Sequence, residues 1–295
     1  MSATVRSIPP GSAAETIAAI DRLLEEVASD EQVVIPIAIE SGSRAWGFPS
    51  PDSDYDCRFI FVRRQADYLT PWPRRDVIET PLVGDLDVNG WDLGKALKLI
   101  VKGNAVVLEW LRSPFVYAAD PVFRDGLLAL ATRLAEPGAI ARHYLHLGES
   151  QRRTYFPDGQ DVALKKLFYA LRPAAALRWL GMHGGPVPPM HFPTLMSECD
   201  PPADVAALTA ELLAAKARTR ELGVAPLPSP LGAFIDAEFA AARVRWPATP
   251  RARGAVAEAE AFFRDQVVRL DQRRLSVPSP PPAAPPPPSA VPRAS

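Results

Sequence analysis

The stretch Glu40-Ser41-Gly42-Ser43-Arg44-Ala45-Trp46-Gly47-Phe48-Pro49-Ser50-Pro51-Asp52-Ser53-Asp54-Tyr55-Asp56 constrains this chain more than any other. It begins with a small-residue turn, Gly42-Ser43, and ends ten residues later in an acidic–aromatic–acidic triplet, Asp54-Tyr55-Asp56. The triplet opens a run rich in Tyr, Phe, Ile and Val that reads as a strand over 54–62. Side chains alternate faces along a strand, so Asp54 and Asp56 point the same way, within reach of one shared ion. Two such anions disfavour each other's charge unless a cation intervenes. Magnesium, with manganese as the alternative, takes oxygen ligands and keeps waters and phosphates. Gly42 lets the backbone turn sharply and approach a ligand, and Ser43 offers a hydroxyl and an N–H to an anion. The order suits a triphosphate at one end and a divalent ion at the other.

Around this segment the pattern alternates between helix and strand. Ser12-Ala-Ala-Glu15 has capping-box spacing ahead of Ile17, Ile20, Leu23 and Leu24, which predicts an amphipathic helix over about 12–28. Val33 to Ile39 reads as a buried strand, and 77–80 and 86–91 as two more joined by a turn near Pro81 to Gly84. Asp92 and Asn104 are placed to cap short helices. From Pro121 onward only helices are evident, over 121–135, 138–155, 160–182, 202–222, 230–244 and 254–274. Pro173 lies inside the third, where a kink is expected after Arg172. The last twenty residues hold nine of the 33 prolines and almost no large apolar side chain, so residues 276–295 are expected to be a disordered or polyproline II tail. The expected organisation is an α/β half over 1–115, a helical half over 116–275, and the tail.

The chain has 295 residues and 47% hydrophobic content, enough for a real core in one large or two small domains. A formal charge of −1 excludes a generally basic nucleic-acid coat but leaves room for a local basic groove. Cys57 and Cys199 stand far apart and form no metal spacing; a reduced, cytoplasmic compartment is expected for them. No run of 18 apolar residues exists, so no membrane span is expected.

Three stretches, GSRAWGF…SPDSDYD from Gly42, DLDVNGWDLGKALKLIVKGNAVVLEWLRSP from Asp85 to Pro114, and LKKLFYALRPAAALRW from Leu164 to Trp179, resemble the polymerase-β-type nucleotidyltransferase superfamily. More narrowly they resemble its YcgL-type branch of RNA-repair-associated nucleotidyltransferases. The likeness covers roughly 30–182, and Cys57 stands where an aliphatic residue is expected. It implies an α/β (α+β) fold: a nucleotidyltransferase catalytic core with a mixed sheet over 1–115, followed by an all-helical domain. It also implies that Gly42 and Ser43 hold the terminal phosphates and that Asp54 and Asp56 bind magnesium. A third carboxylate is expected from a neighbouring strand; Asp85 and Asp87 are candidates, and Asp87, deeper in its run, is preferred. Glu40 is either support for this shell or a strand-end surface residue.

Leaving pyrophosphate needs cations. Lys165, Tyr169 and Arg172 recur on one helix face, flanked by Lys166, and the resemblance turns that helix toward the triphosphate. Of Trp46, Phe48 and Tyr55, at least two are expected to pack loop and core rather than stack on a base. His143 and His146 are read as structural or surface residues.

The implied reaction is two-metal transfer of an NMP from an NTP to an acceptor hydroxyl, an RNA 3′ end being the acceptor the resemblance suggests. Nucleotidylation of a protein or small molecule, and non-catalytic NTP binding, are the alternatives. Base preference and oligomeric state are not written in the sequence.

Overall fold

The computed structural model describes residues 4–156, 161–219, 222–247 and 254–275. The expected tail over 276–295 lies outside them. A six-stranded mixed sheet organises the first part of the chain. Its strands are β1 (Val5–Ser7), β2 (Val34–Glu40), β3 (Tyr55–Val62), β4 (Val77–Glu79), β5 (Leu86–Asp92) and β6 (Val116–Ala119), in the order β1-β6-β2-β3-β5-β4. Only β3 and β5 run parallel; the other pairs are antiparallel.

Period-two alternation assigns the faces. Tyr55, Cys57, Phe59 and Phe61 of β3 meet Ile17, Ile20, Leu24 and Val27 of helix α1 (Ala14–Asp30). Ile60 and Val62 turn the other way, onto Leu93, Leu97 and Ile100 of α4 (Leu93–Val101) and Val107, Leu108 and Leu111 of α5 (Ala105–Leu111). Gly90 of β5 is fixed by this packing: a Cβ there would stand 2.1 Å from the Phe59 ring. Because Asp56 and Arg58 share the parity of Ile60, they lie on the face of the sheet opposite α1, the side of α4 and α5. Asp87 joins them, since β5 runs in parallel register with Asp56 opposite Asp87.

The helices start where the sequence offers acceptors. Asp92 accepts from the Gly94 N–H at 2.7 Å to open α4 (Leu93–Val101), and Asn104 accepts from Val106 at 2.8 Å to open α5 (Ala105–Leu111). The capping box at α1 does not form; Ser12 Oγ instead bonds Pro9 O at 2.9 Å, and the helix begins two residues later than expected. Two one-turn helices, α2 (Gly42–Ala45) and α3 (Gln65–Tyr68), interrupt the strands. Beyond β6 come α6 (Pro121–Leu134), α7 (Pro137–Tyr155), α8 (Leu164–His183), α9 (Phe192–Glu198), α10 (Ala203–Arg218), α11 (Ser229–Arg245) and α12 (Ala255–Leu275). A two-residue pair, β7 (Val162–Ala163) with β8 (Val224–Ala225), departs from the all-helix expectation for this part. Helix α8 runs unbroken through Pro173.

The helices share one core with the sheet. Leu167, Phe168, Leu171 and Leu177 of α8 belong to the same buried cluster as Ile39 and Ile60. Helix α12 returns to lie against α3, α4 and α6, where Arg269 Nη1 reaches Asp120 Oδ2 at 3.0 Å. The sheet also runs past residue 115, since β6 sits inside it between β1 and β2.

Candidate active site

The turn after β2 and the start of β3 are locked together before any ligand is considered. Ser41 N–H bonds Asp56 O at 2.9 Å, and Asp56 N–H bonds Glu40 Oε1 at 2.8 Å. Gly42 has φ +60°, and a Cβ added to it would lie 2.0 Å from Asp56 Oδ2. No other residue fits, on conformation or on space. The loop between turn and strand is tied by three serines: Ser43 Oγ meets Ser53 Oγ at 2.9 Å, and Ser53 Oγ accepts from the Ser50 N–H at 2.9 Å. Arg44 crosses back to donate to Asp54 O at 3.0 Å and Ser53 O at 2.5 Å, its guanidinium 3.8 Å over the Tyr55 ring. That is a positioning role for Arg44 and a packing role for Tyr55.

Glu40, fully buried, is the post behind Asp56. Its carboxylate accepts from Asp56 N–H and from the Tyr117 hydroxyl, and its own carbonyl accepts from Ser113 Oγ at 2.7 Å. Burial pushes the Glu40 carboxyl up to about 8, with the Tyr117 and Asp56 hydrogen bonds working against that rise. Of the two readings open for this residue, supporting shell or surface, the structure gives the first.

A cavity of about 460 Å³ opens above this floor. Gly42, Ser43, Asp54 and Asp56 line one wall; Lys165, Lys166 and Tyr169 of α8 line the other. Lys166 Nζ stands 5.1 Å from the ring centroids of both Tyr155 and Tyr169. Trp46 and Phe48 complete the cavity and also pack: Phe48 stacks on Phe168 at 4.8 Å, and Trp46 meets Tyr169 edge-on at 6.2 Å. Burial raises the Asp56 carboxyl; Arg58 opposes the rise, and Asp87 and Asp54 add to it. Burial, then the charge of Asp56, raises the Tyr169 phenol.

Two expected residues stand elsewhere. Arg172 does not line the cavity. It is buried, pairs with Glu109 at 2.9 Å, and lies 4.8 Å over the Trp46 ring, so it braces the wall from behind. Asp87 sits beside the cavity. Its Oδ2 receives Arg58 Nη2 at 2.6 Å and its Oδ1 receives Asn89 Nδ2. Asp85 contributes its carbonyl, which accepts from the Tyr55 N–H at 2.7 Å. Lys216 of α10 was not singled out by the sequence, where it lies in an Ala-rich helix with no motif around it. It lines the cavity and donates to Phe48 O at 2.8 Å. Burial lowers its ammonium, while nearby Asp52 raises it and Lys165 lowers it further.

A larger cavity, about 520 Å³, lies between α4, α12 and the segment 67–76, at the opposite end of β3 and β5. It holds none of the residues from the Gly42–Asp56 segment or the α8 basic face, so chemistry and not size selects the smaller one. His143 and His146 line a third hollow with Arg142 and Lys102, and no carboxylate lines it. Cys57 and Cys199 are both buried free thiols. No helix among the described residues is long and apolar enough to cross a membrane.

A glycine turn packed on a strand aspartate, in a mixed sheet faced by helices, defines the class of polymerase-β-like nucleotidyltransferases. The RNA repair pathway DNA polymerase beta family matches residues 17–265, and the chain belongs to it. That match extends well beyond 30–182, so the later helices are part of the family pattern too. A protein of Bacillus subtilis (strain 168), described as uncharacterized protein YcgL, is 41% identical over 221 residues, covering 74% of this chain and 84% of that protein.

Proposed function

We propose that this chain transfers an NMP from an NTP to an acceptor hydroxyl, with an RNA 3′ end as the acceptor. The observation that carries the reading is the convergence of the Gly42 turn, the Asp54/Asp56 pair and the Lys165/Lys166 pair on one cavity. The acceptor oxygen attacks the α-phosphorus, the bond to the bridging oxygen breaks, pyrophosphate leaves, and the hydroxyl proton passes to solvent.

Magnesium fits the pair Asp54 and Asp56, since both line the cavity with hard oxygen donors. Such an ion would neutralise charge on the triphosphate and the leaving group. A second ion shared by Asp56 and Asp87 does not fit the arrangement, because Arg58 stands between them. Among the described residues no three carboxylate, imidazole or thiol groups gather as a ready cage. In this reading Gly42 and Ser43 present a turn to the outer phosphates, Lys165 and Lys166 bring positive charge to them, and Trp46, Phe48 and Tyr169 form the apolar side for the base. The free thiols accord with work in a reducing cytoplasm.

The test is incubation with each α-labelled NTP in turn, offering total RNA, protein and small metabolites in parallel. Label is expected on RNA. Label on protein or metabolite would move the acceptor, and binding without transfer would make the chain an NTP-binding regulator. Asp56→Asn is expected to reduce transfer by at least about a hundredfold, the scale of removing a group that stabilises transition-state charge. Full activity in that variant would remove Asp56 from the reaction.

A further inference from the structure

Arg58 pairs directly with Asp56, an expected metal ligand, and it is held, not loose. Its Nη2 bonds Asp87 Oδ2 at 2.6 Å and Asp56 Oδ1 at 3.2 Å, and its Nη1 bonds Asp87 O at 2.7 Å and Cys57 O at 3.0 Å. The side chain is 19% exposed. The parallel register of β3 and β5 makes this contact inevitable, since Asp56, Arg58 and Asp87 share one face at adjacent positions.

The two oxygens of Asp56 are thereby divided. Oδ1 faces Arg58, while Oδ2 lies away from it, packed against the Gly42 turn at the edge of the cavity that Asp56 lines. Both oxygens of Asp87 are engaged, one by Arg58 and one by Asn89. The guanidinium also brings its positive charge between the Asp56 and Asp87 carboxylates. Arginine stays charged at every physiological pH, and its planar fork matches carboxylate oxygens, so it holds the place of a cation permanently.

We infer that Arg58 is a resident cation occupying the position of the ion that Asp56 and Asp87 would otherwise share, so that the chain holds one divalent ion per bound nucleotide. The inference rests on the nucleotidyltransferase reading and fixes its metal count. Asp54 and Asp56 Oδ2 serve the single ion, and Asp87 serves to anchor Arg58.

The experiment is a count of bound Mn²⁺ by electron paramagnetic resonance on the full chain, with an equimolar mixture of the four α,β-methylene NTP analogues. The wild type is expected to hold one Mn²⁺ per nucleotide. Arg58→Gln, which keeps hydrogen-bonding capacity and loses the charge, is expected to hold two; Arg58→Lys, which keeps the charge, is expected to hold one. Two ions in the wild type would overturn the inference, and so would a count that stays at one in a folded Arg58→Gln. If Arg58→Gln fails to fold, the wild-type and Arg58→Lys counts still decide. A wild type that binds none of the analogues in Mn²⁺ would bring down the nucleotidyltransferase reading itself, an outcome distinct from a wrong ion count.

Discussion

Gly42 and Glu40 show how much of the site is set by single residues that would touch no substrate. Gly42→Ala forces a Cβ into left-handed backbone and into Asp56 Oδ2. The conformational cost alone is about 1–2 kcal/mol, and the Asp56 carboxylate must move as well. The expected outcome is a lower urea midpoint together with lost label transfer; an unchanged midpoint would mean the turn can re-form around a methyl group. Glu40 makes a different prediction. Its folded pKa of about 8 lies above the ordinary value of 4.5, so its contribution to stability is fully present below about pH 4.5 and is lost as pH rises toward 8. At about 1.4 kcal/mol per pKa unit the loss is on the order of a few kcal/mol. Unfolding free energies measured from pH 4.5 to 8 should fall more steeply for the wild type than for Glu40→Gln. Parallel curves would assign the slope to other groups.

At the scale of elements, period-two and period-3.6 patterns predicted what they can predict. Strand β3 was legible because large apolar side chains alternate around two aspartates, and α4 and α5 because Asp92 and Asn104 cap them. Strands β1 and β6 carried no signal of their own, being three and four residues long and defined by their partners. The capping box failed because Ser12 found a local carbonyl. Arg172 failed for a geometric reason: periodicity gives a helix face but not depth. Seven residues along α8 is about 10 Å, enough to pass from the cavity rim into the core beneath Trp46. Lys216 was invisible because its partner is a backbone carbonyl 168 residues away. Lys216→Met should test that tie, keeping the aliphatic stem while leaving the Phe48 carbonyl without its donor. Loss of about 1–3 kcal/mol is expected, together with a raised NTP KM; unchanged values of both would show that α10 is not needed for the loop.

For the whole molecule, the sheet order decides what can be cut away. A fragment ending at residue 115 lacks β6, and with it the strand that joins β1 to β2. It also bares Val107, Leu108 and Leu111, which share the core cluster with α6, α7 and α8. Such a fragment is expected to show no cooperative thermal transition and to aggregate, whereas residues 1–275 should melt as the full chain does. A cooperative melt of residues 1–115 would make the α/β half an independent folding unit.

The bond between Lys216 and Phe48 also imposes a timetable on synthesis. At roughly 5–20 residues per second, a ribosome takes on the order of ten to thirty seconds to travel from the aspartates to the lysine that closes their pocket. Throughout that interval the nascent chain carries its acidic motif without the α10 lysine that ties down its loop. Maturation therefore waits on the later helices, and competence arrives late in translation.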